Sequence, residues 1–229
     1  MKNLDTYDIF GKKVLFRADF NVPVVNGNIT DYSRINSVIP SIKQLTKNNN
    51  KVFIVAHYGR PKGEINEKYS LKFLCKDLKA ILEMPKIHFL KSLDDEIVQN
   101  KITQMNYGEV CLFENIRFNA GEELNDLNFA RNLSSNFDIY VNDAFSASHR
   151  KHSSIVGISN FLPAVAGYSL VKEINNLDNF LNKTVKPNLA IIGGAKISTK
   201  IKVISNLIDL FDAVVIGGAM ANTFLLSNN

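Results

Sequence analysis

Six arginines stand against 21 lysines in this chain, and five of the six fall in short turn-like motifs. Arg17 sits in FRADFNVP, Arg34 in TDYSRI, Arg60 in AHYGRP, Arg117 in FENIRF and Arg150 in DAFSASHRKHSS; His57, His149 and His152 share those motifs. A guanidinium is planar, permanently charged and grips phosphate or carboxylate through two parallel hydrogen bonds, which the point charge of lysine cannot copy. A chain that solvates itself with lysine yet sets arginine beside Gly, Pro, Asn and Asp reads as one that clasps a small polyanion. Asp19 and Asn21 flank Arg17 in a turn closed by Pro23, where they can receive a substrate hydroxyl and orient guanidiniums. Asx-turn chemistry accounts for Asn21 equally well. Any one arginine is more readily a surface ion pair than a ligand contact; five at one end of a sheet are not.

A second candidate is GGAKISTK, residues 193–200, which follows an apolar strand and opens a helix. Its glycines let backbone N–H groups approach phosphate, and Lys196 and Lys200 lie one helical turn apart. It is not a Walker loop, and no G-x-G-x-x-G follows the first strand, which counts against a dehydrogenase. A spaced Cys/His set for zinc and a G-x-S-x-G elbow are also missing, so no metal site is expected.

The elements that must hold these residues are legible from apolar runs. Residues 13–18, 51–57, 86–90, 109–113 and 138–143 are apolar at nearly every position, as strands covered on both faces should be. Between them, residues 40–48 read as a helix with Pro40 in its first turn, and residues 71–82 as one capped by Ser70. A third runs over 125–136 with Asn125 as its cap. Asn26–Gly27–Asn28 signals a hairpin. His88 reads as a structural histidine, and Glu64, Glu67, Glu122 and Glu123 as solvated faces. The alternation predicts an α/β fold, a doubly wound parallel sheet in three αβα layers, with ligands at the carboxyl ends of its strands. Arg17, His57, Arg60, Arg117, His149 and Arg150 all follow strand ends, and Arg34 opens a helix.

The pattern changes after residue 143. A Gly- and Pro-punctuated lead-in and a long helix fill residues 161–181, and a second strand–helix–strand series follows from Pro187. The expected organisation is a first domain over 1–167, a linker helix over 168–186, and the incomplete start of a second Rossmann-like α/β domain over 187–229. That last piece is too short to enclose a core, so the chain reads as a truncated product.

Composition narrows the class. With 45% hydrophobic and 21% charged residues, the chain is an ordinary soluble globular protein. The net charge of +5 invites a nucleic-acid reading, but its lysines are scattered and no aromatic-and-basic platform accompanies them. Cys75 and Cys111 lie in apolar segments and read as buried free thiols of a reducing compartment. No secretory signal or bilayer-length apolar run is seen, and a cytoplasmic location without membrane or nucleic-acid partners is expected.

RADFNVP, ITDYSRI, AHYGRP, ENIRF, VNDAFSASHRKHSS, GGAKISTK and IGGAMANTF, in this order along the chain, resemble phosphoglycerate kinase. The resemblance implies an N-terminal domain for 3-phosphoglycerate and a C-terminal domain for ATP or ADP with Mg2+, joined by a helix and closing on each other in a monomer. By motif it assigns Asp19, Asn21, Arg34, His57, Arg60, Arg117 and Arg150 to the triose acid. Arg34 and Lys196 become catalytic, and Gly194, Lys196, Lys200, Gly217 and Gly218 face the nucleotide. The metal-linked carboxylate is implied to lie in the part of the family beyond residue 229. Tyr58, Ser146, Lys151, Thr199 and Ala219 stand where Leu, Gly, Ala, Asp and Gly are usual. The implied reaction is reversible phosphoryl transfer between 1,3-bisphosphoglycerate and ADP. A non-catalytic phosphoglycerate-binding module is the alternative.

Overall fold

The computed structural model describes residues 1–182, 186–195, 197–198 and 200–228. They form two compact units, Met1–Glu173 and Ile174–Asn229.

The first unit is built on β1 (Lys13–Arg17), followed by the short pair β2 (Val24–Val25) and β3 (Asn28–Ile29). The pair is the expected hairpin: Asn26 and Gly27 both take positive φ, as the turn that matches strand twist requires. Next come α1 (Ser33–Lys47), β4 (Lys51–Val55), α2 (Leu74–Leu82), β5 (His88–Leu90) and α3 (Asp95–Gln104). The unit continues with β6 (Val110–Phe113), α4 (Ala120–Leu124), α5 (Leu127–Ser134), β7 (Ile139–Asn142) and β8 (Ala164–Ala166), and α6 (Tyr168–Asn182) leads out of it. Strand order is β5-β6-β4-β1-β7-β8, and every pairing is parallel.

Alternation along the strands makes the three layers. Val14, Phe16, Val52, Ile54, Val110 and Leu112 join Ile35, Ile42, Leu74 and Leu78 in one apolar cluster. Leu15, Phe53, Val55, Cys111 and Phe113 join Val98 and Leu133 in the other. Both sheet faces are therefore covered, which is why the strands read as unbroken apolar runs.

Three local expectations need correction. The first helix begins at Ser33, so Pro40 lies inside it rather than in its first turn. Ser70 does not cap α2; its hydroxyl donates to Glu114 Oε2 at 2.7 Å, while the Leu71 amide donates to Glu114 Oε1 at 2.8 Å. The helix expected over 125–136 is α5, Leu127–Ser134, and Asn125 is not its cap. Asn125 ends α4 with a left-handed φ of 54°, and Asp126 caps α5 by accepting from the Asn128 and Phe129 amides at 2.7 and 3.0 Å. Asp and Asn are both good caps, and spacing alone does not choose between neighbours.

A buried amide ties α1 to the sheet. Asn50 accepts from the Lys12 amide at 2.8 Å and donates to the Ile9 and Leu45 carbonyls at 2.9 and 2.8 Å. Asn50→Ala removes those three bonds and leaves the Leu45 carbonyl only the residue-50 backbone amide, at 3.3 Å. It is expected to lower stability by about 1–3 kcal/mol, read as a shift in the urea midpoint. An unchanged midpoint defeats the assignment.

In the second unit, β9 (Leu189–Gly193), α7 (Ile201–Leu210), β10 (Ala213–Gly217) and α8 (Ala219–Ser227) form a strand–helix–strand–helix series with the two strands parallel. Its core is slight. Ala190, Ile204, Phe211 and Met220 are buried, whereas Leu189, Ile191, Ile201, Ile208, Leu225 and Leu226 are exposed. Among the described residues, no helix is long and apolar enough to cross a membrane.

Candidate active site

Strand order reverses beside β1. The chain runs from β1 outward through β4, then returns to place β7 on the other side, with Arg17 opposite Asn142 in register. A crevice opens at such a switch point, outside the carboxyl ends of the strands. A cavity of about 200 Å3 lies there, lined by Asp19, Arg34, Asp143, Ser146, Ser169 and Glu173 among others. Cavities of about 340 and 570 Å3 elsewhere on this unit are lined by none of the motif arginines. Size does not pick the site; topology does.

On one side of the crevice, Asp19 organises three loops. Its Oδ1 accepts from the Asn21 amide at 3.1 Å, and its Oδ2 accepts from Arg34 Nη1 at 2.6 Å and from the Ser146 hydroxyl. Arg34 is the second residue of α1, where the positive end of the helix adds to its charge, and its side chain is 46% exposed. One arm of the guanidinium is pinned and the rest faces solvent.

His57 follows β4 and is 5% exposed. Burial first, then the charges of Arg17, Arg117 and Arg150 and of His152, push its pKa down to about 2. The ring is therefore neutral at physiological pH, amid three guanidiniums. Arg117 lies in the 3-10 turn after β6 and is 2% exposed. Its Nη1 donates to the Gly59 carbonyl at 2.8 Å. Its Nε lies 3.1 Å from Glu123 Oε1 as an ion pair outside hydrogen-bond geometry. Burial lowers the Arg117 pKa, opposed by Glu123. Gly59 joins the two halves, since its amide donates to Asn21 Oδ1 at 2.9 Å. A Cβ here would meet the Tyr69 ring at 2.4 Å, and φ is +61°, so only glycine fits. Arg60 next to it is exposed and makes no hydrogen bond or ion pair with the described residues. Arg150 is half-buried and His149 exposed.

Arg17 departs from expectation. It is 1% exposed, and its three nitrogens bond to the Ser154 hydroxyl at 2.9 Å, the Ala18 carbonyl and His57 Nδ1 at 3.2 Å. Buried, and with each of its three nitrogens bonded inside the protein, it braces the site rather than gripping a ligand. Glu122 is the second correction: it is fully buried, not a solvated face. Its carboxylate accepts from the Ser154 amide at 2.9 Å and the Ser154 hydroxyl at 2.6 Å. No spacing signal separates Glu122 from its exposed neighbour Glu123; only packing does.

Asp143, at the end of β7, accepts from the Leu170 amide in the first turn of α6 at 2.9 Å through Oδ1, while its buried Oδ2 has no hydrogen bond. Burial pushes its pKa up to about 6, against the lowering pull of the Ser41 hydroxyl and the Ser169 and Leu170 amides. His88 pairs with Glu109 at 2.9 Å, away from the arginines, as a structural histidine does. Cys111 is buried and Cys75 half-buried; both are free, and burial raises their thiols to about 12 and about 11.

In the second unit, Gly193 and Gly217 pair in register at the ends of β9 and β10. Gly194 accepts from the Met220 amide at 3.0 Å, and a Cβ on Gly218 would meet the Gly194 backbone at 3.3 Å. Lys200 donates to the Gly193 carbonyl at 2.5 Å. The structure thus brings Gly194, Lys200, Gly217 and Gly218 to one end of this sheet. Lys196 and Thr199 lie outside the described residues.

The model of the phosphoglycerate kinase family matches residues 4–229. A phosphoglycerate kinase of Rhizobium meliloti is 48% identical over 221 residues, 96% of this chain and 55% of the relative. One from Brucella melitensis is 44% identical over 98% of this chain and 56% of the relative. Among solved structures, phosphoglycerate kinase from Coxiella burnetii superposes with a TM-score of 0.85 at 33% identity, covering 99% of this chain and 57% of that one. The Pyrococcus horikoshii enzyme gives 0.87 at 30% identity, covering 100% and 58%. The chain therefore spans little more than half the length of these relatives.

Proposed function

The chain belongs to the phosphoglycerate kinase family, and from that premise we propose that it serves the reversible transfer of a phosphoryl group from 1,3-bisphosphoglycerate to ADP, giving 3-phosphoglycerate and ATP. The observation that carries this is the gathering of His57, Arg117 and Arg150 around one another, joined through Gly59 and Asn21 to Asp19 and Arg34. Three guanidiniums and a neutral imidazole suit a phosphate plus a carboxylate on a three-carbon skeleton. Arg60, exposed and unpaired among the described residues, is a further ligand-facing charge.

No protein nucleophile is needed. An oxygen of the ADP β-phosphate attacks the acyl phosphate phosphorus in line, the bond to the carboxyl oxygen breaks, and the carboxylate leaves. Catalysis is then positioning and charge stabilisation. Arg34, oriented by Asp19, and Lys196 are assigned to the charge on the transferred group. Gly194, Lys200, Gly217 and Gly218 are assigned to the nucleotide phosphates and the wall of its pocket. No group of three His, Cys, Asp or Glu side chains suited to a cation stands among the described residues; in this reading Mg2+ is carried by the nucleotide. Residues 1–167 are assigned to the triose acid, 168–186 to a linking helix and 187–229 to the nucleotide domain, in a cytoplasmic monomer.

Calorimetry with 3-phosphoglycerate, beside a coupled ATP assay, tests the reading. Saturable binding with turnover is expected. Binding without turnover leaves a phosphoglycerate-binding module, and no binding at all refutes the site.

A further inference from the structure

Arginine has five N–H donors and no acceptor. The 3.2 Å contact between Arg17 Nη2 and His57 Nδ1 therefore fixes a direction: Nδ1 must be the bare nitrogen, and the proton of the neutral ring must sit on Nε2. The same logic runs on from the other side of Arg17. Its Nε donates to Ser154 Oγ at 2.9 Å, so the hydroxyl proton of Ser154 turns to Glu122 Oε1 at 2.6 Å. The Ser154 amide donates to the other carboxylate oxygen at 2.9 Å. The Tyr140 hydroxyl pins the Ser154 carbonyl at 2.7 Å. Every arrow is determined, and the series ends on a fully buried carboxylate.

We propose that Glu122 is a positioning residue: through Ser154 and Arg17 it holds His57 as the neutral Nε2–H tautomer, so that His57 meets the ligand as an uncharged hydrogen-bond donor. The ligand half of this statement rests on the function proposed above; the tautomer half does not. Nε2 has no protein partner among the described residues, so its proton is the one a bound acid can use. The charged groups around the ring agree with a neutral imidazole. Arg17, Arg117, Arg150 and His152 all oppose its protonation. Glu122 is 3.7 Å from His152 Nδ1, and its hydrogen bonds go to Ser154. Glutamine at this position offers one acceptor and two donors where Ser154 needs two acceptors. The Ser154 hydroxyl proton then loses its carboxylate acceptor and must turn, which disturbs the oxygen that receives Arg17 Nε.

The test is long-range 1H–15N correlation of the imidazoles in the full chain, with His57 assigned by its loss in His57→Gln. The wild type is expected to show a neutral Nε2–H ring from pH 5 to 8. In Glu122→Gln the two nitrogens should mix toward the Nδ1–H form, with a roughly tenfold loss of 3-phosphoglycerate affinity, the scale of one misdirected hydrogen bond. Ser154→Ala, which deletes a single buried hydroxyl, carries the same expectation should Glu122→Gln fail to fold, and Ser154→Thr should restore the wild-type pattern. An Nδ1–H ring or an imidazolium in the wild type at pH 6 overturns the proposal without any variant. A folded Glu122→Gln or Ser154→Ala protein with an unchanged tautomer removes Glu122 from it. An Nε2–H ring in a protein that ignores 3-phosphoglycerate leaves the tautomer standing and refutes the function instead.

Discussion

Replacing Arg34 by alanine is expected to slow phosphoryl transfer at least about a hundredfold, the scale of one electrostatic stabiliser aimed at developing charge. The geometry says why the loss should fall on turnover rather than on binding. Arg34 Nη1 is held 2.6 Å from Asp19 Oδ2, which fixes the plane of the guanidinium while leaving 46% of the side chain open to solvent. A group oriented before the reaction contributes most where charge moves, and the remaining cations hold the ground-state acid. Affinity for 3-phosphoglycerate should therefore change less than turnover does. Arg34→Lys keeps the charge but loses the fork, so it should fall between wild type and alanine. Steady-state kinetics with 1,3-bisphosphoglycerate and ADP, beside calorimetry, separates the two effects. Near-normal turnover in Arg34→Ala would sink the catalytic assignment.

The second large effect is on stability, and its sign differs between two buried groups. His57 is held at about 2 in the folded protein against an ordinary 6.5. Between those values the unfolded chain binds a proton that the native state refuses. Stability is therefore complete above pH 6.5 and falls with pH by roughly 1.4 kcal/mol per unit, about 3 kcal/mol by pH 4.5. His152, lowered by burial against the pull of Glu122, acts in the same direction. Asp143 works the other way. Its pKa of about 6 lies above the ordinary 3.8, so the native state binds the extra proton. Its contribution is present below about pH 4 and is lost, by roughly 3 kcal/mol, as pH rises through 6. Between pH 4 and 6 the two slopes oppose. His57→Gln, which can still accept from Arg17, should lose stability as pH rises through that window. Asp143→Asn, which keeps an acceptor for the Leu170 amide, should lose stability as pH falls. Urea midpoints measured from pH 4 to 7 decide it, and parallel profiles for the two variants would contradict both assignments.

The order of residues along the chain is enough to specify the sheet and the end of it that matters. Apolar runs over 13–18, 51–57 and 109–113 demand cover on both faces, and that demand is the doubly wound architecture. Because parallel strands share a direction, placing Arg17, His57, Arg117 and Arg150 after strand ends puts them at one end of the sheet. Folding alone settles which of these side chains face inward. Arg17 and Arg60 sit in equally turn-like motifs, yet one is 1% exposed with each nitrogen bonded inside the protein and the other is exposed and unpaired among the described residues. Glu122 and Glu123 are adjacent in sequence; one is sealed against Ser154 and the other lies at the surface beside Arg117. Local sequence carries periodicity and propensity, and those fix elements. Burial of a charge depends on partners brought from distant segments, here 137 positions apart for Arg17 and Ser154, and only the folded chain specifies that.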